Sequence, residues 1–366
     1  MKYYIIAGEA SGDLHGSNLI KALHRQDPAA DIRCWGGDKM EAAGATLVKH
    51  YRDLAFMGFV EVIKHLGTIF KNIAFCKKDI TAYAPDVLVL IDYPGFNLRI
   101  AQWAKQQGIK VVYYISPQVW AWKENRVKTI RASVDKMLVI LPFEVDFYRK
   151  WQYEAVYTGH PLLEVIREEQ EHVPVVPLSA KPVIALLPGS REQEIRVKLP
   201  IMLSVTDHFP GYQFIIAQAP SLPDALYRDI IGDKDVLLAK DQTYNLLKQA
   251  KAGLITSGTA TLETALFGLP QVVCYKGNAV SFWLAKKLVT IQYISLVNLI
   301  MDKPVVRELI QDELNTKNLV SALQELLSDG PVLDHMKQDY AALWQALGSK
   351  PASSVAAQEV IKIAQL

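Results

Sequence analysis

Residues 87–97 read VLVLIDYPGFN, from Val87 to Asn97. Five apolar residues in a row are apolar on both alternating faces, which suits a strand covered on both sides, as in a parallel sheet. Asp92 closes the run. Pro94 and Gly95 then mark a turn into a helix. The same order of strand, short loop and helix recurs in both directions. Upstream lie expected strands at Lys2–Ala7 and Ile32–Trp35, and downstream at Val111–Ile115 and Lys136–Ile140. Helices are expected at Gly12–Arg25, Gly58–Ala82, Phe96–Gln107 and Val119–Ala132. The scheme restarts with strands at Val183–Leu187, Gln213–Ala217, Val236–Ala239, Gly253–Thr256 and Gln271–Tyr275, and the chain closes on helices from Thr316 to Gln365. Between the halves, Gly159–Pro182 collects Glu168, Glu169, Glu171, Pro174, Pro177 and Pro182, and reads as a linker.

Such alternation predicts an α/β protein with two Rossmann-like parallel-sheet domains facing a cleft. The expected divisions are 1–163, 164–345 and a final helix in 346–366 that returns to the first domain. The 366 residues suffice for two domains. Half are hydrophobic and 21% are charged, which excludes a disordered or collagen-like chain. Forty Lys plus Arg against 38 Asp plus Glu leave +2, not the basic excess of a dedicated nucleic-acid binder. Cys34, Cys76 and Cys274 are scattered and form no CxxC pair, so neither a disulfide framework nor a zinc site is expected. The start, MKYYIIAGEASGD, reads as a first strand rather than a signal peptide. No run of 18 uncharged apolar residues occurs, so no transmembrane helix is expected.

In open α/β sheets, ligands bind beyond the carboxyl ends of the strands. Four loops occupy such places. Gly8, Glu9, Ser11 and Gly12 follow the first strand; the spacing is not GxGxxG, and a tight βα turn would also explain it. Asp92 is placed as a general base, or as a helix cap. Gly189, Ser190 and Arg191 open a helix with free N–H groups and a guanidinium, which suits a diphosphate, although a capped helix start has the same letters. Ser257, Gly258 and Thr259 begin another helix. Three hydroxyls in the turn exceed the one that a cap needs, and Glu263 lies one turn on, in reach of ribose hydroxyls.

Two further stretches carry aromatic or amphipathic character. Ser116–Lys123 holds Trp120 and Trp122, and Lys123, Arg126, Lys128 and Arg131 follow; an anionic, partly apolar ligand and a solvated basic face are both open. From Phe56 to Phe75, Phe59, Ile63, Leu66, Ile69 and Phe70 recur at helical spacing against charged residues. That pattern fits a helix lying in a membrane interface, and equally an ordinary core-facing helix.

Together the motifs resemble the lipid-A-disaccharide synthase family of bacterial glycosyltransferases. The matching blocks are AGEASGD at 7–13, MGFVEV at 57–62, IDYPGFN at 91–97, SPQVWAWKENRV at 116–127, LPFE at 141–144, GHPLL at 159–163, LPGSREQEI at 187–195, SGTATLE at 257–263 and SLVNLI at 295–300. They span nearly the whole chain, and their order is specific. The resemblance implies a GT-B-like fold and an inverting transfer. UDP-2,3-diacylglucosamine and 2,3-diacylglucosamine 1-phosphate would give a β-1,6-linked disaccharide and UDP, without metal or other cofactor.

By the same resemblance, Asp92 is the base. Gly189, Ser190, Arg191 and Ser257–Thr259 hold the diphosphate, and Glu263 the ribose. Asn298 lines the donor side, and Glu9, Ser11 and Gly12 face the cleft. The family's usual IDYPGFN motif carries a second acid where this chain has Gly95, which leaves Asp92 as the base. Lys123, Arg126 and Arg131 would meet acceptor phosphate or anionic lipid. The Phe59–Phe70 face would dock on the inner face of the cytoplasmic membrane of a Gram-negative bacterium, with the protein cytoplasmic and peripheral. The sequence leaves the oligomeric state open, a homodimer included.

Two alternatives keep the same architecture: a glycosyltransferase acting on a polyprenyl-linked peptidoglycan precursor, and a UDP-sugar 2-epimerase. A non-catalytic nucleotide-sugar binding protein is the alternative from another class.

Overall fold

A computed structural model describes residues 1–53, 66–122, 124–278, 282 and 292–366. The chain forms two compact units, Met1–Pro161 with Ser349–Leu366, and Leu162–Gly348. These differ slightly from the expected 1–163, 164–345 and 346–366. Leu162 and Leu163 at one junction and Leu347 at the other are buried in the second unit's core, so the boundaries fall outside them.

The first unit is built on seven parallel strands: β1 (Lys2–Ala7), β2 (Asp31–Gly36), β3 (Thr46–His50), β4 (Val87–Ile91), β5 (Lys110–Tyr114), β6 (Lys136–Val139) and β7 (Ala155–Tyr157). Their spatial order is β3-β2-β1-β4-β5-β6-β7. The order reverses between β1 and β4, where Ala7 pairs with Ile91. β4 is buried along its whole length, as its unbroken apolar run requires. The two faces of the sheet are covered differently. Ile73, Cys76 and Ile80 of helix α3 (Leu66–Tyr83) pack on one face, with α4 (Pro94–Gln106) and α5 (Arg126–Ser133). On the other, α1 (Ala10–Gln26) packs beside the last helix of the chain, Ala352–Ala364, through Leu19, Ile20, Leu23, Ala356, Ala357 and Val360. The remaining helices of this unit among the described residues are α2 (Asp38–Ala42) and α6 (Phe143–Lys150).

The second unit repeats the plan with six parallel strands: β8 (Val183–Leu187), β9 (Gln213–Gln218), β10 (Val236–Lys240), β11 (Ala250–Thr256), β12 (Gln271–Tyr275) and β13 (Arg307–Ile310). The order is β10-β9-β8-β11-β12-β13, with its reversal between β8 and β11. Its helices, among the described residues, are α7 (Leu162–His172), α8 (Glu192–Leu203), α9 (Asp224–Ile231), α10 (Thr243–Gln249), α11 (Thr259–Leu266), α12 (Leu296–Met301), α13 (Thr316–Leu327) and α14 (Pro331–Leu347). Ala352–Ala364 is then α15.

Three expectations are corrected. The stretch read as a linker contains α7, whose Leu162, Leu163 and Ile166 are buried while its glutamates lie on the outer side. Lys248 fastens that side through an ion pair to Glu169 at 2.7 Å. The helix expected at Val119–Ala132 forms only from Arg126, because side-chain bonds pull 116–121 into irregular turns. β3, β7 and β13 were not expected; they are short edge strands, β3 and β13 with polar residues in them and β7 only three residues long. The first part of the expected helix Gly58–Ala82 lies outside the described residues.

Candidate active site

Each sheet places two loops at its reversal point, and these four loops are the motifs singled out in the sequence. In the first unit they follow β1 and β4. Gly8 is required there by close approach: a Cβ on it would lie 2.3 Å from Cγ of Tyr93. Glu9 precedes α1 as its N-cap residue without a side-chain cap, and Ser11 is exposed in the first turn. Gly12 packs on Ala7, with 3.0 Å between the added Cβ and that side chain. Asp13, the last residue of the motif, has a structural task. Its buried carboxylate accepts from the backbone N–H of Gly37 at 2.7 Å and Met40 at 3.1 Å, fixing the start of α2.

Asp92 and Tyr93 both adopt left-handed backbone, with φ of 44° and 48°. Two successive non-glycine residues there store strain of order 1–3 kcal/mol each, which the surroundings must hold. The hold is visible. The Asp92 carbonyl accepts from the Tyr113 hydroxyl and from Nδ2 of Asn97 at 2.8 Å. Asn97 is wholly buried and also bonds the Ile91 carbonyl. Burial, assisted by the nearby negative charge of Glu9, pushes the Asp92 carboxyl up to about 6. A carboxylate with such a pKa is a competent base near neutrality. Neither Asn97 nor Tyr113 was singled out in the sequence, although Asn97 stands five residues after Asp92 in the same motif.

The 116–122 loop follows β5, the neighbour of β4. Ser116 bonds the Tyr148 hydroxyl at 2.7 Å, and the Trp120 indole donates to Glu144 at 3.2 Å. Glu144, of the LPFE motif, also accepts from the Leu141 N–H, and burial pushes its carboxyl up to about 8. Trp120 is therefore an inward brace. Trp122 is exposed, with the Arg126 guanidinium 5.6 Å from its ring centroid. Arg131 is exposed on α5, and Lys123 lies outside the described residues.

In the second unit the paired loops follow β8 and β11. Gly189 has φ +123°, and a Cβ there would come 2.4 Å from Oε2 of Glu194. Ser190 and Arg191 are exposed, and α8 starts without a side-chain cap. Gly258, at φ +135°, opens α11, also without a side-chain cap. Uncapped first-turn N–H groups of two helices that follow adjacent strands, with a guanidinium beside them, have the chemistry to receive an anion. Ser257 is half-buried and its hydroxyl donates to the Ile294 carbonyl at 2.8 Å, while Thr259 is exposed. Glu263 accepts from the Tyr244 hydroxyl at 2.8 Å, and burial raises its pKa. Asn298 is only 1% exposed. Its amide donates to the Val306 carbonyl at 2.9 Å and to Glu308 at 3.0 Å, and accepts from the Val306 N–H. Its side chain thus ties α12 to the segment leading into β13, and the residue borders a cavity shared with Gln292, Tyr293, Val306 and Glu308. Glu308 completes that clamp by accepting from the N–H groups of Ile294 and Ser295.

Of the apolar face expected to meet a membrane, Phe70 is 58% exposed. Ile69 is half-buried and packs inward on the first unit's core, because helical spacing turns it toward Ile73 and Cys76. The side chain of Leu66, and all of Phe59 and Ile63, lie outside the described residues. Phe75, not singled out, is 48% exposed. Among the described residues no helix is long and apolar enough to cross a membrane, and no cluster of three His, Cys, Asp or Glu could hold a metal ion.

Two Rossmann-like parallel-sheet units, each with its motif loops at the reversal point of its sheet, define the GT-B-like fold class. Solved structures share the fold. UDP-GlcNAc 2-epimerase from Neisseria meningitidis, bound to UDP-GlcNAc, superposes with TM-score 0.68 at 13% identity, covering 99% of this chain and 100% of that one. The glycotransferase of kitacinnamycin gives 0.67 at 14%, covering 99% and 98%. Fold alone therefore does not separate transferase from epimerase; sequence does. The family profile described as lipid-A-disaccharide synthetase matches residues 3–363. Lipid-A-disaccharide synthases from Geobacter metallireducens and Chromohalobacter salexigens are each 38% identical, over 98% of this chain and 96% of theirs. The chain belongs to the lipid-A-disaccharide synthase family, and it is a glycosyltransferase of lipid A disaccharide synthesis.

Proposed function

We propose that the chain transfers the sugar of UDP-2,3-diacylglucosamine to 2,3-diacylglucosamine 1-phosphate with inversion. Asp92 takes the proton of the acceptor hydroxyl. The oxygen attacks the anomeric carbon, forming the β-1,6 linkage. The bond from that carbon to the diphosphate breaks, and UDP leaves with the electron pair. Negative charge then grows on the leaving group. The N–H groups of 190–192 and 258–260 and the Arg191 guanidinium would meet it, in the manner of an oxyanion hole. Glu263, steadied by Tyr244, takes the ribose hydroxyls. Glu9, Ser11 and Gly12 border the base.

The acylated substrates call for a lipid surface. Phe70, Phe75 and Trp122 are exposed aromatics, and Arg99 and Arg126 stand over Phe70 and Trp122 at 5.8 and 5.6 Å. Aromatics with cations suit an anionic leaflet, where each basic residue contributes about 1 kcal/mol. We place the protein at the cytoplasmic face of the inner membrane on that basis.

The observation that carries the reading is the Asp92 carboxyl, held in strained backbone at the reversal point and pushed up to about 6 by burial and the charge of Glu9. The test is UDP release in mixed micelles, with and without acceptor, for wild type and Asp92→Asn, with no metal added. Acceptor-dependent release that collapses in the variant is expected. Release that ignores the acceptor would overturn the reaction, and release that survives in the variant would overturn the base.

A further inference from the structure

Lys198 stands on α8, seven residues after Arg191 and four after Glu194, so all three share a helix face. It is 4% exposed. Its ammonium donates to Oγ1 of Thr256, the last residue of β11, and lies 3.5 Å from Oε2 of Glu194. The other oxygen of Glu194 lies 3.4 Å from Arg191 Nη1. The Glu194 carboxylate is thus bracketed by two cations against the Gly189 turn, at the entrance of α8.

Burying an ammonium is costly unless an anion accompanies it. Its present partner, Glu194, is one-third exposed and shared with Arg191. Two cations and one carboxylate leave a net positive corner, beside two uncapped helix starts. That corner is complete only when a further anion arrives. We propose that Lys198 is an additional donor-binding residue, a buried cation beneath the two diphosphate loops. Glu194 is its internal counter-ion until the diphosphate of the donor takes over that role. The inference rests on reading the second unit as the donor site, and it assigns a charge to that site which no motif reading supplied.

The test measures binding of UDP and UMP by calorimetry, with thermal melting, on wild type, Lys198→Met and Glu194→Gln. Methionine keeps the length and packing of the stem. Removing one member of a buried ion pair lowers stability, here moderated because Glu194 is one-third exposed and keeps Arg191. The expected result is a UDP affinity lower by about 10- to 100-fold, the range for a lost charge-assisted bond. The preference for UDP over UMP should shrink, and the donor KM should rise more than kcat falls. Unchanged UDP affinity in a folded Lys198→Met overturns the proposal, as does an equal loss for UDP and UMP. Glu194→Gln keeps the question open to failure should Lys198→Met not fold. Made in an Arg191→Ala background, so that only Lys198 is released, it should tighten UDP binding relative to Arg191→Ala alone; unchanged or weaker binding overturns the proposal. Wild-type protein that binds no UDP would instead bring down the donor-site reading itself.

Discussion

The two reversal points are built on the same scaffold and do opposite electrostatic work. In the first unit the strand ends carry acids, Glu9 and Asp92, and the left-handed backbone falls on Asp92 and Tyr93, which pay in strain. In the second the strand ends carry hydroxyls and the cations Arg191 and Lys198, and the left-handed positions are Gly189 and Gly258, which adopt it freely. On the proposed function, a base has to be aimed, and Asn97 and Tyr113 would aim it by holding the Asp92 backbone. A diphosphate has to be wrapped, and the bare backbone at Gly189 and Gly258 would wrap it. Parallel sheets thus supply places, and the residues at the strand ends decide between proton abstraction and charge acceptance.

The sharpest way to break this comparison is Asp92→Asn. Loss of a general base costs about 10²–10⁴-fold in kcat. Activity of the wild type should fall with an apparent pKa about 6 as the pH is lowered, because the carboxyl must be ionised to act. Stability should move the other way. A carboxyl whose folded pKa is raised contributes stability that is present at low pH and lost as the pH rises through about 6. Asn carries no charge and tolerates left-handed backbone, so Asp92→Asn should melt higher than wild type at pH 8. A variant that melts lower would contradict the strain-and-burial account.

Next in size is Arg191→Ala, expected to lower kcat/KM by about 10²–10³-fold, as removal of a leaving-group donor does. Lysine should restore little of it, since the planar fork is lost. Steady-state kinetics with varied donor would decide.

Gly189→Ala should then weaken UDP binding by roughly tenfold, because the strained backbone and the clash with Glu194 together cost about 1–3 kcal/mol. The same substitution at Gly95, with open space around it, should leave UDP binding alone. Equal effects at the two positions would remove the contrast between wrapping and aiming.

The smallest expected effect is that of Tyr113→Phe. Losing one buried hydrogen bond to the Asp92 carbonyl should cost about 1 kcal/mol in chemical unfolding. Activity should fall modestly, with donor KM unchanged, since the brace belongs to the first unit.

How much of this was legible depends on where the information sits. β4 was legible because five apolar residues in a row admit few other structures. The glycines, Asp92 and Arg191 were legible because strand ends in such sheets are where ligands go. β3 was hidden because its polar positions break the pattern, and β7 because three residues are too few to show one. The 116–121 turns were hidden because Ser116–Tyr148 and Trp120–Glu144 are tertiary bonds spanning 32 and 24 residues. Asp13, Asn298 and Lys198 carried polar letters whose meaning depends on burial. Asp13 caps α2 from another helix, Asn298 turns its amide inward, and Lys198 reaches across to β11. Lys198 alone left a trace, its i+4 and i+7 spacing from Glu194 and Arg191.

The closing helix α15 packs on α1 within the first unit, and Gln26 bonds Ser354 across 328 residues of sequence. Residues 162–348 are thus inserted into a unit whose last piece is translated after them. Domains emerging from the ribosome usually settle in the order they are made. Here that order must invert. The second unit has its whole sequence available first, while the first unit waits with one face of its sheet covered by α1 but not yet by α15. A chain released after residue 348 should therefore leave the first unit open to proteolysis while the second is protected.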